Sequence, residues 1–150
     1  MKFIISFWKT IIWVCIILFL SLSPRNIFPH PSWLMFPHID KAVHFIMYFV
    51  FALVLINDSQ HYSKIRLTHR QIVFSALIVI SWGGFLEILQ KIPSIHRSCD
   101  FFDFLANTVG AVVASVLYRI FEPLLNKINI KNISDSIENN NYANNRNKFL

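Results

Sequence analysis

The chain has 150 residues, of which 55% are apolar, 15 are phenylalanine and 15% are charged, with a net charge of +6. An ordinary soluble domain carries about 25% charged residues, and one of this length cannot hide so much apolar surface, so a soluble fold is excluded. The positive charge does not point to nucleic acid, because the basic residues lie between and after long apolar runs, as they do around membrane spans.

A span needs roughly 20 apolar residues to cross about 30 Å of hydrocarbon. Four segments meet or approach that length, at about Phe3–Leu22, Lys41–Ile56, Gln71–Gln90 and Phe101–Phe121. In the first, Lys9 is the one charge. A cleaved signal peptide is the other reading of this segment, but the apolar stretch is long for one, Trp8 and Lys9 interrupt it and Pro24 would follow the cut. Turn-formers separate the segments: Ser23, Pro24, Pro29, Pro31 and Pro37 after the first, Asn57-Asp58-Ser59 after the second, and Pro93-Ser94 after the third. Cys15 falls inside the first span and Cys99 in a polar connection, so a disulfide is not expected, and no Cys-x-x-Cys pair supports a zinc or redox motif.

Basic residues set the direction. With the amino terminus cytoplasmic, the inside carries Lys2, Lys64, Arg66, Arg70, Lys127, Lys131, Arg146 and Lys148, and the outside only Arg25, Lys41, Lys91 and Arg97. Both termini are therefore expected in the cytoplasm. From about Lys131 the chain is rich in asparagine and loses its apolar period, which predicts a disordered tail. The expected architecture is all-α: an integral membrane bundle of four transmembrane helices over residues 1–125, then a polar cytoplasmic tail over 126–150.

Ionisable groups within spans cost roughly 2.5–3.5 kcal/mol each at the helix centre, so each calls for a reason. Here they recur at helical spacing. Asp40, His44 and Tyr48 are four apart, with Lys41 beside them, and Glu87 and Gln90 are three apart with Gly83 one turn away. Asp100, Asp103, Asn107 and Gly110 are spaced by three and four. Each set lies on one helical face. The alternating span directions bring the three stripes to the same depth on the outer side, and turning them toward each other satisfies them at least cost. The expected result is an outward-open polar pocket, with Arg97 and His96 above it and Gly110 and Ala114 below it allowing close helix contact. His30 and His38 are expected on the loop surface.

These residues resemble the VanZ-like family of bacterial membrane proteins: Asp40-Lys41-x-x-His44-x-x-x-Tyr48, then Glu87-x-x-Gln90, then Arg97-x-x-Asp100-x-x-Asp103-x-x-x-Asn107-x-x-Gly110. The resemblance covers about residues 40–114. It departs at Ala114, where the family often has a second glycine. It implies a four-helix protein of the bacterial inner membrane. The name-giving member is linked to teicoplanin resistance, a property the resemblance does not extend to this chain.

Three chemistries suit such a pocket. In the first, an envelope lipid or lipid-linked precursor binds through its head, with Lys41, Arg97 and a protonated His44 facing phosphate. Asn107, Gln90 and Tyr48 then meet its oxygens, and Asp40 and Asp100 orient the bases. In the second, His44 is a general base, oriented by Asp40 or Asp103, and Glu87 an acid in a hydrolase or transferase. A metal variant of it would use His44, Glu87, Asp100 and Asp103, a set that suits a hard cation. In the third, the polar pairs only hold the bundle together. No cofactor and no nucleic-acid partner is expected, membrane lipid surrounds the chain, and a homo-oligomer is compatible with the pattern.

Overall fold

The structure is a computed structural model that describes residues 2–23, 39–90 and 100–146, with side chains between Phe3 and Leu124. The described residues are helical throughout apart from Phe7, Ser23, a short turn at 64–68 and the residue before the last helix. In chain order the helices are α1 (Lys2–Ser6), α2 (Trp8–Leu22), α3 (Ile39–Ser63), α4 (His69–Gln90) and α5 (Phe101–Arg146). Contacts divide the chain after Val116. In the first unit α2, α3, α4 and the start of α5 form the bundle. In the second unit α5 simply continues.

Among the described residues, three helices are long and apolar enough to cross a membrane: α3, α4 and the Phe101–Leu124 part of α5. Their outward faces carry Ile46, Phe74, Leu77, Ile88, Phe101 and Val116, all exposed. Such a surface is stable only against lipid, and the protein is a multi-pass membrane protein.

The first apolar segment differs from the single span expected over Phe3–Leu22. It is broken at Phe7, whose φ of −104° and ψ of 18° interrupt the helix, leaving α2 with 15 residues. That is about 22 Å at 1.5 Å per residue, short of the hydrocarbon thickness. Backbone bonding nevertheless continues across the break, with Phe7 N–H on the Phe3 carbonyl at 3.0 Å and Ile11 N–H on the Phe7 carbonyl at 2.9 Å. Aromatic packing surrounds the break: the Phe7 ring stacks on Phe3 at 4.6 Å and lies 5.7 Å from Tyr62, while Phe3 meets Tyr62 edge-on at 6.0 Å.

The second correction concerns Asn57-Asp58-Ser59, expected as a turn after a span ending at Ile56. No proline or glycine lies between Asp40 and Ser63, and α3 runs straight through to Ser63. The turn falls instead at Lys64, with a positive φ of 57°. Asp58 thereby becomes an interior residue, 1% exposed. Its Oδ2 accepts the Thr10 N–H at 3.0 Å and the Thr10 hydroxyl at 2.8 Å, and its Oδ1 lies 3.8 Å from Lys9 Nζ. The first N–H groups of a helix have no intrahelical partner, and α2 has no side-chain cap of its own at Phe7. A carboxylate from α3 takes that place and complements the positive end of the helix dipole.

Two helices start on their own caps. Thr68 precedes α4, and Gln71 Oε1 accepts the Thr68 N–H at 2.8 Å and its hydroxyl at 3.0 Å, while Thr68 Oγ1 accepts from Gln71 N–H at 3.4 Å. This reciprocal Thr-x-x-Gln arrangement is a capping box. Asp100 caps α5, its Oδ1 accepting the Phe102 N–H at 2.9 Å. The backbone of α5 runs on past Pro123 to Arg146. No glycine or proline follows Pro123, and extending an existing helix avoids the cost of nucleating one.

The core between the helices is built from Ile17, Met47, Tyr48, Phe51, Leu55, Val79, Leu86, Ala111 and Ala114. Gly110 sets the distance between α3 and α5. A Cβ there would press on the Phe45 carbonyl oxygen and lie 3.1 Å from Phe49 N, so backbone meets backbone. Small residues at such a crossing are the usual route to close helix packing in membranes.

Two outcomes follow. Asp58→Ala removes a charged acceptor and leaves the Thr10 donors buried, a loss of about 1–3 kcal/mol; thermal unfolding of the detergent-solubilised protein should show it, with Thr10→Val less harmful. Gly110→Ala forces α3 and α5 apart at a cost of about 1–3 kcal/mol. The same melting assay reads it, and an unchanged midpoint would contradict the close crossing.

Candidate functional site

The helices that carry the polar stripes run in register. Along α3 and α5, Lys41 meets Asp100 and Asp103, His44 meets Asn107, and Phe45 and Phe49 meet Gly110. The numbers rise together, so the two helices are parallel. Glu87 of α4 reaches His44, and Gly83 reaches Tyr48 deeper in α3, so α4 runs antiparallel to both.

At the centre His44, Glu87 and Asp103 are all buried and place one ligand atom each within 4.8 Å of one another. His44 Nδ1 lies 3.1 Å from Asn107 Oδ1. On its other edge His44 Nε2 lies 3.9 Å from Asp103 Oδ2. An amide oxygen can only accept, so the contact with Asn107 is a hydrogen bond when the proton sits on Nδ1. That leaves Nε2 facing the carboxylate.

Above this centre, by one helical turn or about 4–5 Å, lies the rim. Lys41 Nζ donates to Asp100 Oδ2 at 2.9 Å and to Asp103 Oδ1 at 3.4 Å. It also sits 5.8 Å from the Phe102 ring centroid. The lysine thus ties the cap of α5 to the buried carboxylate. The Lys41 ammonium, and after it the Phe102 N–H, hold the Asp100 carboxyl below its ordinary value. Below the centre, Gly83 makes room for two neighbours: a Cβ there would be 2.9 Å from Tyr48 Cε1 and 3.3 Å from Asn107 Nδ2. Tyr48 and Asn107, each 1% exposed, close the floor.

Of the residues singled out from sequence, His44, Glu87, Asp103 and Asn107 form the centre, Lys41 and Asp100 the rim, and Tyr48 the floor, with Gly110 packing beneath. Asp40 is exposed at the start of α3. Gln90 turns away: its Nε2 donates to the Ser21 carbonyl at 3.0 Å, at the end of α2. It shares a side of α4 with Glu87, but the open carbonyls of α2 are the stronger attraction, since the last C=O groups of a helix lack partners. Arg97, His96, His30, His38 and Cys99 lie outside the described residues, and Cys15 is a free, exposed thiol. Sequence reasoning missed Asp58 and Thr10, although the buried positions 44, 48, 51, 55 and 58 continue one stripe at spacings of three and four.

Because the folded-state value of Asp100 is depressed, the contribution of its pair with Lys41 is present above the unfolded value. It is lost as the pH falls through the folded one. A carbon-13 titration of the Asp100 carboxyl should therefore give an apparent pKa below the ordinary aspartate value of about 3.9, and Lys41→Met should move it back up; no movement would break the assignment of cause.

Comparison with known proteins agrees with the residue pattern. None of the curated proteins and none of the solved structures compared with the chain gives a significant match. The sequence matches the VanZ/LLP1 family over residues 4–122, a stretch that includes α2, α3, α4 and the whole His44 centre. With most of its length matched, the chain belongs to the VanZ/LLP1 family.

Proposed function

We propose that the His44 recess opens to the exoplasmic face of the bacterial inner membrane and binds the polar head of an envelope lipid or lipid-linked precursor. The observation that carries this reading is the gathering of His44, Glu87, Asp103 and Asn107 between three apolar helices. Groups so costly to place in a span are ordinarily there to meet a ligand or one another. An amphiphile suits the setting, because its tails remain against the exposed apolar helix faces while its head enters the recess. The excess of basic residues in the loop at Lys64, Arg66 and Arg70 supports the outward orientation.

The charges favour one kind of head. Among the described residues near the recess, Lys41 is the one permanent cation, and it is already hydrogen-bonded to Asp100 and Asp103. Glu87 and Asp103 line the buried part. Such a surface accepts hydrogen bonds more readily than it donates them, so hydroxyl-bearing heads such as sugars fit it better than a bare phosphate. This shifts the emphasis from the phosphate contacts expected of Lys41.

A second reading, acid–base catalysis on the same lipid, draws on His44 lying within reach of two carboxylates while Asn107 holds its ring. Mass spectrometry of lipids co-purified with the protein tests the binding reading. The wild type should retain a lipid class enriched at least severalfold over the bulk membrane, and Glu87→Gln and Asn107→Leu, checked for unchanged helicity and melting, should lose that enrichment. Identical lipid profiles in all three would end the proposal. Turnover of the retained lipid, abolished by His44→Gln with retention intact, would select catalysis.

A further inference from the structure

We infer that His44, Glu87 and Asp103 form a site for a single divalent metal ion, with open coordination positions facing the recess. The inference rests on the reading of this recess as a ligand site and specifies what first occupies it.

The donor set is the first argument. One imidazole nitrogen and two carboxylate oxygens, supplied by three different helices, come within 4.8 Å of one another. That spread is about the diameter of a coordination sphere with metal–oxygen distances near 2.4 Å, and modest side-chain rotation closes it to the roughly 2.0–2.2 Å of smaller ions. Three protein ligands with vacant positions are the pattern of metal sites that handle a substrate, whereas closed four-ligand sites are structural.

The second argument is the state of the histidine. His44 Nδ1 lies 3.1 Å from Asn107 Oδ1, and with the proton on Nδ1 the ring is held as a metal-bound imidazole ordinarily is, its far nitrogen donating to a carbonyl or carboxylate. Nε2 then faces Asp103 Oδ2 at 3.9 Å, a separation too long for a hydrogen bond. Two ligands of one ion, each about 2.0–2.4 Å from it, can stand that far apart. Glu87 completes the third side. Two buried carboxyl groups beside an imidazole supply the donors a divalent ion takes, in surroundings that offer them few other partners.

The third argument is competition. Lys41 Nζ lies 3.4 Å from Asp103 Oδ1 and so neutralises part of one ligand. A lysine that competes with the ion for Asp103 makes a distinctive forecast: its removal should tighten metal binding. A purely structural cluster would gain nothing from that change.

The mixed nitrogen–oxygen set suits Mn²⁺ or Zn²⁺ better than a thiol-seeking ion, and Mn²⁺ has a usable spectroscopic signal. The test takes the full chain in lipid nanodiscs, stripped with chelator and titrated with Mn²⁺ alone under electron paramagnetic resonance, with Zn²⁺ as competitor. The expected result is one Mn²⁺ per chain, displaced by Zn²⁺. Affinity should fall at least tenfold in each of His44→Gln, Glu87→Gln and Asp103→Asn, and rise in Lys41→Met. Should a variant fail to fold, the wild type still decides: pulsed measurements should show coupling to one imidazole nitrogen. Absence of saturable binding, or a bound Mn²⁺ without nitrogen coupling, overturns the inference. Retained lipid measured on stripped and loaded protein keeps the two readings apart. Lipid retention without metal binding overturns the metal site alone, whereas metal binding without lipid upholds the metal site and overturns the lipid reading.

Discussion

The contact between His44 Nδ1 and Asn107 Oδ1, 3.1 Å long, crosses from α3 to α5 where both side chains are buried. Its net worth in a membrane is modest, about 0.6 kcal/mol on average, because the separated helices also find partners. The alternative is what gives it force: a polar group left in hydrocarbon costs several kcal/mol. Once His44 and Asn107 are committed to each other, α3 and α5 have one register. That register seats Gly110 against Phe45 and Phe49 and sets Lys41 between Asp100 and Asp103. Asp103 and Glu87 then have no direction to face except inward.

The same constraint explains how a helix of 15 residues joins a bundle of longer ones. α2 is fastened to its neighbours by polar contacts along its length. Asp58 of α3 accepts at its amino end, the Trp13 indole donates to the Met47 carbonyl at 3.0 Å in its middle, and Gln90 of α4 donates to Ser21 at its carboxyl end. Its two ends, which leave backbone groups unpaired in any helix, are closed by side chains of other helices. Asp58 and Gln90 therefore serve the frame, and the His44 centre is left to α3, α4 and α5.

How far the sequence discloses this depends on the kind of signal. Spans of apolar residues are written locally, and α4 begins within two residues of its expected position and ends on the expected Gln90. The polar stripe is also local, so the meeting of His44, Glu87, Asp103 and Asn107 was legible from spacing and alternating direction. Asp58 was not. An Asn-Asp-Ser triplet ordinarily marks a turn, and only a partner 48 residues away, Thr10, makes helix the better state for it. Gln90 is the converse case: its face was right, but which neighbour lies nearest is decided by packing. The break at Phe7 lies among three aromatic rings from two distant segments, for which no local rule exists.

Charge placement around the His44 centre is graded. At the rim Lys41 balances Asp100, and part of its charge reaches Asp103. One turn below, the groups that remain are an imidazole, an amide and two carboxyl groups. Asp100 is partly exposed whereas Glu87 and Asp103 are buried, so a charge is screened less at the buried positions than at the rim. Lys41 stands at the boundary between the two regimes. Its ammonium bridges Asp100 and Asp103, so the residue that ties down the cap of α5 also holds the buried carboxyl group beside His44 in place.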